Sequence, residues 1–163
     1  MTNHNHVVLF SLSLFLIFSC SQDINLPVVE FKILDEISLV SGLCKIDEEN
    51  YMTGEIIIQD SDILSYHPEE YYFTLSVSGI EKIKTKPDNA PFGLFVDDRL
   101  IYTGFIKPGF SSSSCLESIT MDNTGFNQRI TMSLGYPGHN PNVQDRRNNP
   151  YLIIALQEQG KLE

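Results

Sequence analysis

The sequence predicts an α+β domain: mostly antiparallel β-sheet of six or seven strands around a central hairpin at about 92–106, with two or three short helices, one of them C-terminal. Three observations predict it. Phe92–Val96 and Arg99–Ile106 are apolar runs joined by Asp97-Asp98, a pair that tolerates the positive φ of a two-residue hairpin turn. Tyr71–Val77 alternates, with Tyr71, Phe73, Leu75 and Val77 against Tyr72, Thr74 and Ser76, which is the period of a half-buried strand. Asn149-Pro150 precedes an apolar stretch that stops at Gly160, giving a helix its cap, its first-turn proline and its terminating glycine.

In chain order, Val28–Leu34 (VVEFKIL) has strand composition, and Ile37–Ile46 either continues the sheet or loops across it. Asp47-Glu48-Glu49 makes a turn, and Tyr51–Ile58 ends in three isoleucines as a buried strand. Asp60-Ser61-Asp62 offers caps for a short helical turn through Ile63, Leu64 and Tyr66, limited by Pro68. Ser78–Lys86 has room for one helical turn with Ile80 and Ile83 on one side, and Lys86–Pro91 is a loop by composition. After the hairpin, Leu116–Met121 and Gln128–Tyr136 are strands across the turn Asp122-Asn123-Thr124-Gly125. Gly135–Asn149 is a long polar stretch, and Tyr151–Gln159 is a helix with Leu152, Ile153 and Leu156 on its apolar side.

The N-terminus is different in kind. Residues 1–19 hold no Asp, Glu, Lys or Arg, and Val7–Phe18 is apolar apart from Ser11 and Ser13. That run has the length of an export signal's hydrophobic region and falls short of the roughly 20 residues a spanning helix needs. Its end, Ile17-Phe18-Ser19-Cys20, resembles the lipobox of bacterial lipoproteins. The resemblance implies cleavage before Cys20, acylation of its thiol (a palmitate-type modification) and a stable membrane anchor, since two or three acyl chains hold where one does not. Ser21-Gln22-Asp23 places no Asp directly after the cysteine, which implies the outer rather than the inner membrane. The organisation expected is therefore signal peptide 1–19, tether 20–27 and a single domain over 28–163.

Lys and Arg number 11 against 21 Asp and Glu, a formal charge of −10, and all of these lie after residue 19. Such a surface repels nucleic acid, so no nucleic-acid partner is expected. With 42% hydrophobic residues, ten Phe and seven Tyr, the chain has ample material for a core. If Cys20 carries lipid, Cys44 and Cys115 remain: either a disulfide closing a loop of about 70 residues or two buried thiols. Their spacing excludes a CxxC redox or zinc motif.

No catalytic, cofactor or metal motif stands out. Ser111–Ser114 could supply a nucleophile, but the GxSxG elbow is missing and only His67 and His139 are available as bases after residue 19. His139 with Asn140, Asn142 and Asp145 lacks zinc-ligand spacing, and Asp122–Gly125 lacks the rest of a calcium loop. Arg146-Arg147 could pair with a partner's carboxylate or phosphate, or with an acid of the chain itself. Tyr71, Tyr72, Tyr102 and Tyr136 could form a partner site or lie in the core. Asp62–Tyr66, Ile101-Tyr102-Thr103-Gly104-Phe105, Ser111–Ser114, Gly135-Tyr136-Pro137 and Asp145–Arg147 together resemble a loose type of small bacterial lipoprotein over about 55–163. That resemblance implies no activity.

The expectation is a non-enzymatic envelope binding or accessory module without cofactor, held to the membrane by lipid and facing an unknown envelope protein or extracellular ligand. Its interaction surface is expected on Lys107–Ser114 and Gly135–Asn149, at Pro108, Phe110, Ser111, Ser112, Tyr136, His139, Arg146 and Arg147. Two alternatives stand beside it: an inhibitor or immunity-type protein acting through the 107–114 loop, and a serine hydrolase.

Overall fold

The computed structural model describes residues 25–163; the expected signal peptide 1–19, Cys20 and the expected tether as far as residue 24 lie outside the described residues. Among the described residues there are eight strands: β1 (Val29–Asp35), β2 (Met52–Ile58), β3 (Ile63–His67), β4 (Tyr72–Leu75), β5 (Pro91–Val96), β6 (Arg99–Ile106), β7 (Cys115–Asp122) and β8 (Arg129–Tyr136). Two helices, α1 (Val77–Lys84) and α2 (Pro150–Glu158), and single 3-10 turns at Asp60–Asp62 and Phe126–Gln128 accompany them in the described residues. The class is α+β with a C-terminal helix, and the strands form one sheet in the order β2-β1-β5-β6-β7-β8-β4-β3. Among the paired strands of the described residues, β6 and β7 alone run parallel.

The strand count exceeds the six or seven expected, and β3 is where the reading differs. The helical turn predicted through Tyr66 stops after Asp62. Asp62 commits its carboxylate to Ser76 and Ser78 hydroxyls at 2.9 Å each and to Lys82 Nζ at 2.8 Å, across the sheet edge rather than along a helix. Ile63 and Tyr66 then pack into the core as strand residues paired with β4. Ile37–Ile46 proves to be the crossing loop, with one isolated bridge between Leu39 and Ile46.

The hairpin turn takes the conformation its two aspartates allow: φ is 48° at Asp97 and 62° at Asp98, as a type I′ turn requires. α1 is capped by Ser76, whose hydroxyl accepts from Gly79 N, and it buries Ile80 and Ile83. α2 is capped by Asn149, starts at Pro150 and buries Leu152, Ala155 and Leu156, with Ile153 partly buried. Ala155 takes the place in the buried face that the sequence reading gave to Ile153.

The sheet is strongly curled. Its two edges, β2 and β3, are consecutive in the chain and joined by the short Gln59–Asp62 turn, so they must come together. Phe31 of β1 and Phe73 of β4 meet edge to face with ring centres 5.2 Å apart, although four strands separate them in the sheet order. In a flat sheet, at ~4.8 Å per strand, the same pair would lie roughly 24 Å apart. The result is an open barrel with its main core inside. The C-terminal tail takes up the free edge of β3: Tyr66 N donates to Lys161 O at 2.8 Å and Glu163 N donates to Tyr66 O at 3.0 Å.

A second, smaller core lies on the outer face, where Leu34, Phe95, Phe105 and Cys115 are covered by Ile46 of the 36–51 loop. Cys44 of that loop and Cys115 of β7 are joined in a disulfide, with Cα atoms 5.2 Å apart.

Candidate functional site

Lys107 follows β6 directly and keeps the strand's direction, its amide donating to Met121 O at 2.8 Å, so its side chain enters the protein. That side chain is fully buried. A buried ammonium needs acceptors for its three protons. Lys107 Nζ donates to Ser113 Oγ at 2.6 Å, to Ser113 O at 3.2 Å and to Asn89 Oδ1, and lies 3.3 Å from Asp88 Oδ1. Ser111 Oγ donates to the other Asp88 oxygen at 2.5 Å. Burial pushes the Asp88 carboxyl up, but the bonds from Ser111 and Lys107 outweigh it and hold the group below its ordinary range.

Tyr136 braces the same loop from the other side, its hydroxyl donating to Ser111 O at 2.9 Å. The predicted loops 107–114 and 135–149 therefore touch at Ser111 and Tyr136. From this brace Phe110 projects with 82% of its surface exposed, Ser112 is exposed and Pro108 is half-buried.

Beyond Tyr136 the long polar stretch turns away from the serines. Asn140 Nδ2 donates to Leu116 O at 2.7 Å, and His139 stays exposed. The two arginines then part. Arg146 Nη1 donates to both oxygens of Glu48, at 2.9 and 2.7 Å, tying the 135–149 stretch to the disulfide-held loop. Arg147 is a core residue, 6% exposed. It grips Asp145 through Nε (2.9 Å) and Nη2 (2.7 Å), donates from Nη1 to Met132 O at 2.9 Å, and stacks 3.5 Å over the Tyr71 ring. The Arg147 bonds hold the Asp145 carboxyl low against the opposing effect of burial. Tyr66 and Tyr102 lie beside this pair inside the barrel, and burial pushes both hydroxyls up.

Between these segments a cleft of about 370 Å³ opens where the sheet splays. β6 and β7 pair only from Gly104–Ile106 onward, against Ile119–Met121, so the ends ahead of that pairing separate. Lys45, Glu48, Glu49, Thr103, Glu117 and Arg146 are among the residues around it. Thr103 Oγ1 donates to Glu48 Oε1 at 3.2 Å, which fixes one wall to the floor.

No family model, curated protein or solved structure matches this chain. The site therefore has to be judged on its geometry. Among the described residues, neither histidine hydrogen-bonds to Ser111–Ser114: His67 Nε2 pairs with Glu163 at 2.8 Å and its ring stacks on Tyr72. The serines bond instead to Asp88, Asn89 and Lys107. Among the described residues there is no group of three or more His, Cys, Asp or Glu placed to hold a metal ion, and no helix long and apolar enough to cross a membrane.

Sequence reasoning placed Lys107 at the start of the expected interaction loop without giving it a role, and missed Asp88 and Asn89, which shape the loop with it, and Glu48, the partner of Arg146. A signal for the first was present: Ile106-Lys107-Pro108 puts a lysine at the end of an unbroken buried strand, where its side chain has few routes to water.

Proposed function

We propose that this chain is a lipoprotein of the cell envelope, anchored through acyl chains on Cys20 at the outer membrane, and that its domain is a non-enzymatic binding module. Its contact surface is the braced 107–114 loop with the adjoining start of the 135–149 stretch. The observation that supports this best is Phe110: an aromatic side chain almost wholly in water, on a loop whose base is fixed by a buried lysine and a tyrosine. Exposed aromatic anchors on preorganised loops are where binding energy concentrates, because little freedom is lost when they dock. The acidic surface and the paired state of both arginines favour a protein or neutral ligand over a phosphate-bearing one.

The test is affinity capture from solubilised envelopes with the full acylated protein and its Phe110→Ala variant. A protein, glycan or lipid species recovered by the first and lost with the second is expected. Recovery of nothing specific, or of the same species by both, would overturn the reading.

The rigidity of the same loop favours one second reading, an inhibitor or immunity-type protein that inserts Pro108-Gly109-Phe110 into an enzyme's cleft. Tight inhibition of an envelope protease or toxin, abolished by Phe110→Ala, would select it over a simple adaptor.

A further inference from the structure

The domain has two distinguishable ends. β1 begins beside the Asp97-Asp98 turn: Val28 N donates to Asp97 Oδ1 at 2.8 Å, and Asp97 N donates to Val28 O at 2.9 Å. α2 lies at this end too, because Gln159 Nε2 donates to Pro27 O and the Arg99 guanidinium sits 3.8 Å over the Tyr151 ring. The tether thus leaves between the hairpin turn and α2. Leu26, Val28, Tyr151 and Ile154 are all exposed here, the last two at 53% and 54% and one helical turn apart on the outer side of α2. The opposite end holds Lys107, the last residues of β7 and the exposed Phe126.

We infer that the α2 end rests on the bilayer, with Tyr151 and Ile154 in the headgroup region, and that Phe110 and Phe126 point away from it. The inference rests on acylation of Cys20. Four residues lie between Cys20 and Asn25, where the described chain begins, and the five steps from one to the other reach ~18 Å at full extension. The end of the domain nearest the anchor is therefore confined close to the membrane surface. Of the exposed apolar groups, those at this end are within reach of lipid.

Tyrosine and aliphatic side chains side by side suit an interface that is apolar on one side and wet on the other. Arg99, stacked on Tyr151, can extend its charge toward phosphate while its stem stays on apolar surface. The nearby acids are partly neutralised: Asp60 pairs with Lys161 at 2.8 Å, and Lys32 is shared between Asp98 at 2.7 Å and Glu30 at 3.5 Å, while Asp97 and Glu158 add further negative charge. Such a face fits a zwitterionic surface rather than an anionic one.

The full acylated protein, reconstituted in phosphatidylcholine vesicles, tests this with an environment-sensitive dye placed by Ile154→Cys or, separately, by Phe126→Cys. Cys44 and Cys115 are occupied by their disulfide and Cys20 by lipid, so each variant takes one dye. The expected result is a blue-shifted emission at 154 that nitroxide-labelled lipid quenches several-fold more than emission at 126. Circular dichroism of each variant verifies folding, and Tyr151→Cys serves as a second reporter on the same face. Equal quenching at the two ends, or stronger quenching at 126, would overturn the inference while leaving the anchor intact. A blue shift at 154 without lipid quenching would mark contact with a second protein copy, and would also overturn it. Failure of wild-type protein to incorporate labelled fatty acid, with Cys20→Ala no different, would overturn the anchor reading and this inference together.

Discussion

Asp62 holds the seam where the barrel's two edges meet, and replacing it with asparagine tests whether that carboxylate stabilises the fold as its geometry implies. The side chain is 7% exposed, so solvent screens it little. Burial is the largest single influence and works against ionisation, yet Lys82, Ser76, Ser78 and the Gln59 amide together lower the carboxyl from 3.8 to about 2. A group whose folded value is depressed contributes stability above its unfolded value and loses it as pH falls through the folded one. Here the contribution is complete above pH ~4 and gone below pH ~2. At about 1.4 kcal/mol per unit, the depression is worth roughly 2 kcal/mol, a sizeable share of the total for a domain of this size. The measurement is urea unfolding followed by far-ultraviolet circular dichroism at pH 7, 4, 3 and 2, on wild type and Asp62→Asn. Wild type should be the more stable by about 2 kcal/mol at pH 7, and the gap should close between pH 4 and 2. A gap that stays constant down to pH 2 would refute the electrostatic origin, and no gap at pH 7 would refute the role of Asp62 altogether.

The Cys44–Cys115 bridge spans 71 residues of sequence, and chain entropy for such a loop predicts a loss of about 4 kcal/mol in the Cys44→Ser/Cys115→Ser protein. Hydrogen exchange should then quicken across residues 36–51, and an unchanged urea midpoint would count against the bridge as the clamp of that loop. Lys107→Met removes the donor to Ser113 and Asn89 and strands their acceptors, so unfolding should become easier by about 1–3 kcal/mol; a neutral result would mean that the brace adds no rigidity. Arg147→Lys cannot reproduce the paired bonds to Asp145 together with the one to Met132 O, and should cost roughly 2 kcal/mol in thermal or urea unfolding. Full retention of stability there would show that a point charge suffices.

Period-2 alternation, the Asp97-Asp98 turn and the Asn149-Pro150 cap are local signals, and each marked an element that the structure contains. The short range of such signals also explains what was missed. The Asp60-Ser61-Asp62 run has the composition of a helix cap, and only its distant partners Ser76, Ser78 and Lys82 turn it into a strand entrance. Curling of the sheet follows from which strands are edges, and no residue pattern within one strand encodes that. At the candidate site, Phe110 and Tyr136 could be marked from the sequence because turn-rich polar stretches sit at the surface. The opposite fates of Arg146 and Arg147 could not, since adjacent identical residues carry no hint of which one faces Asp145 and Met132.

A lysine buried at the foot of a surface loop is a poor device for stability alone. Apolar side chains of similar volume in place of the lysine and its polar partners together would often do as well, because desolvating a charge offsets much of what its partners return. What the ammonium supplies here is direction: it bonds Asn89 and both the hydroxyl and carbonyl of Ser113, and it faces the same Asp88 carboxylate that holds Ser111. Those contacts fix where residues 111–113 run, and hence where Phe110 points. A loop needed only to join β6 to β7 would require no such constraint, whereas one that presents an aromatic side chain to a partner gains affinity by being ordered beforehand. The brace and the exposed phenylalanine are therefore explained by a single requirement, and placing them at the end away from the tether leaves that surface free to meet a partner under the proposed acyl anchor at the other end.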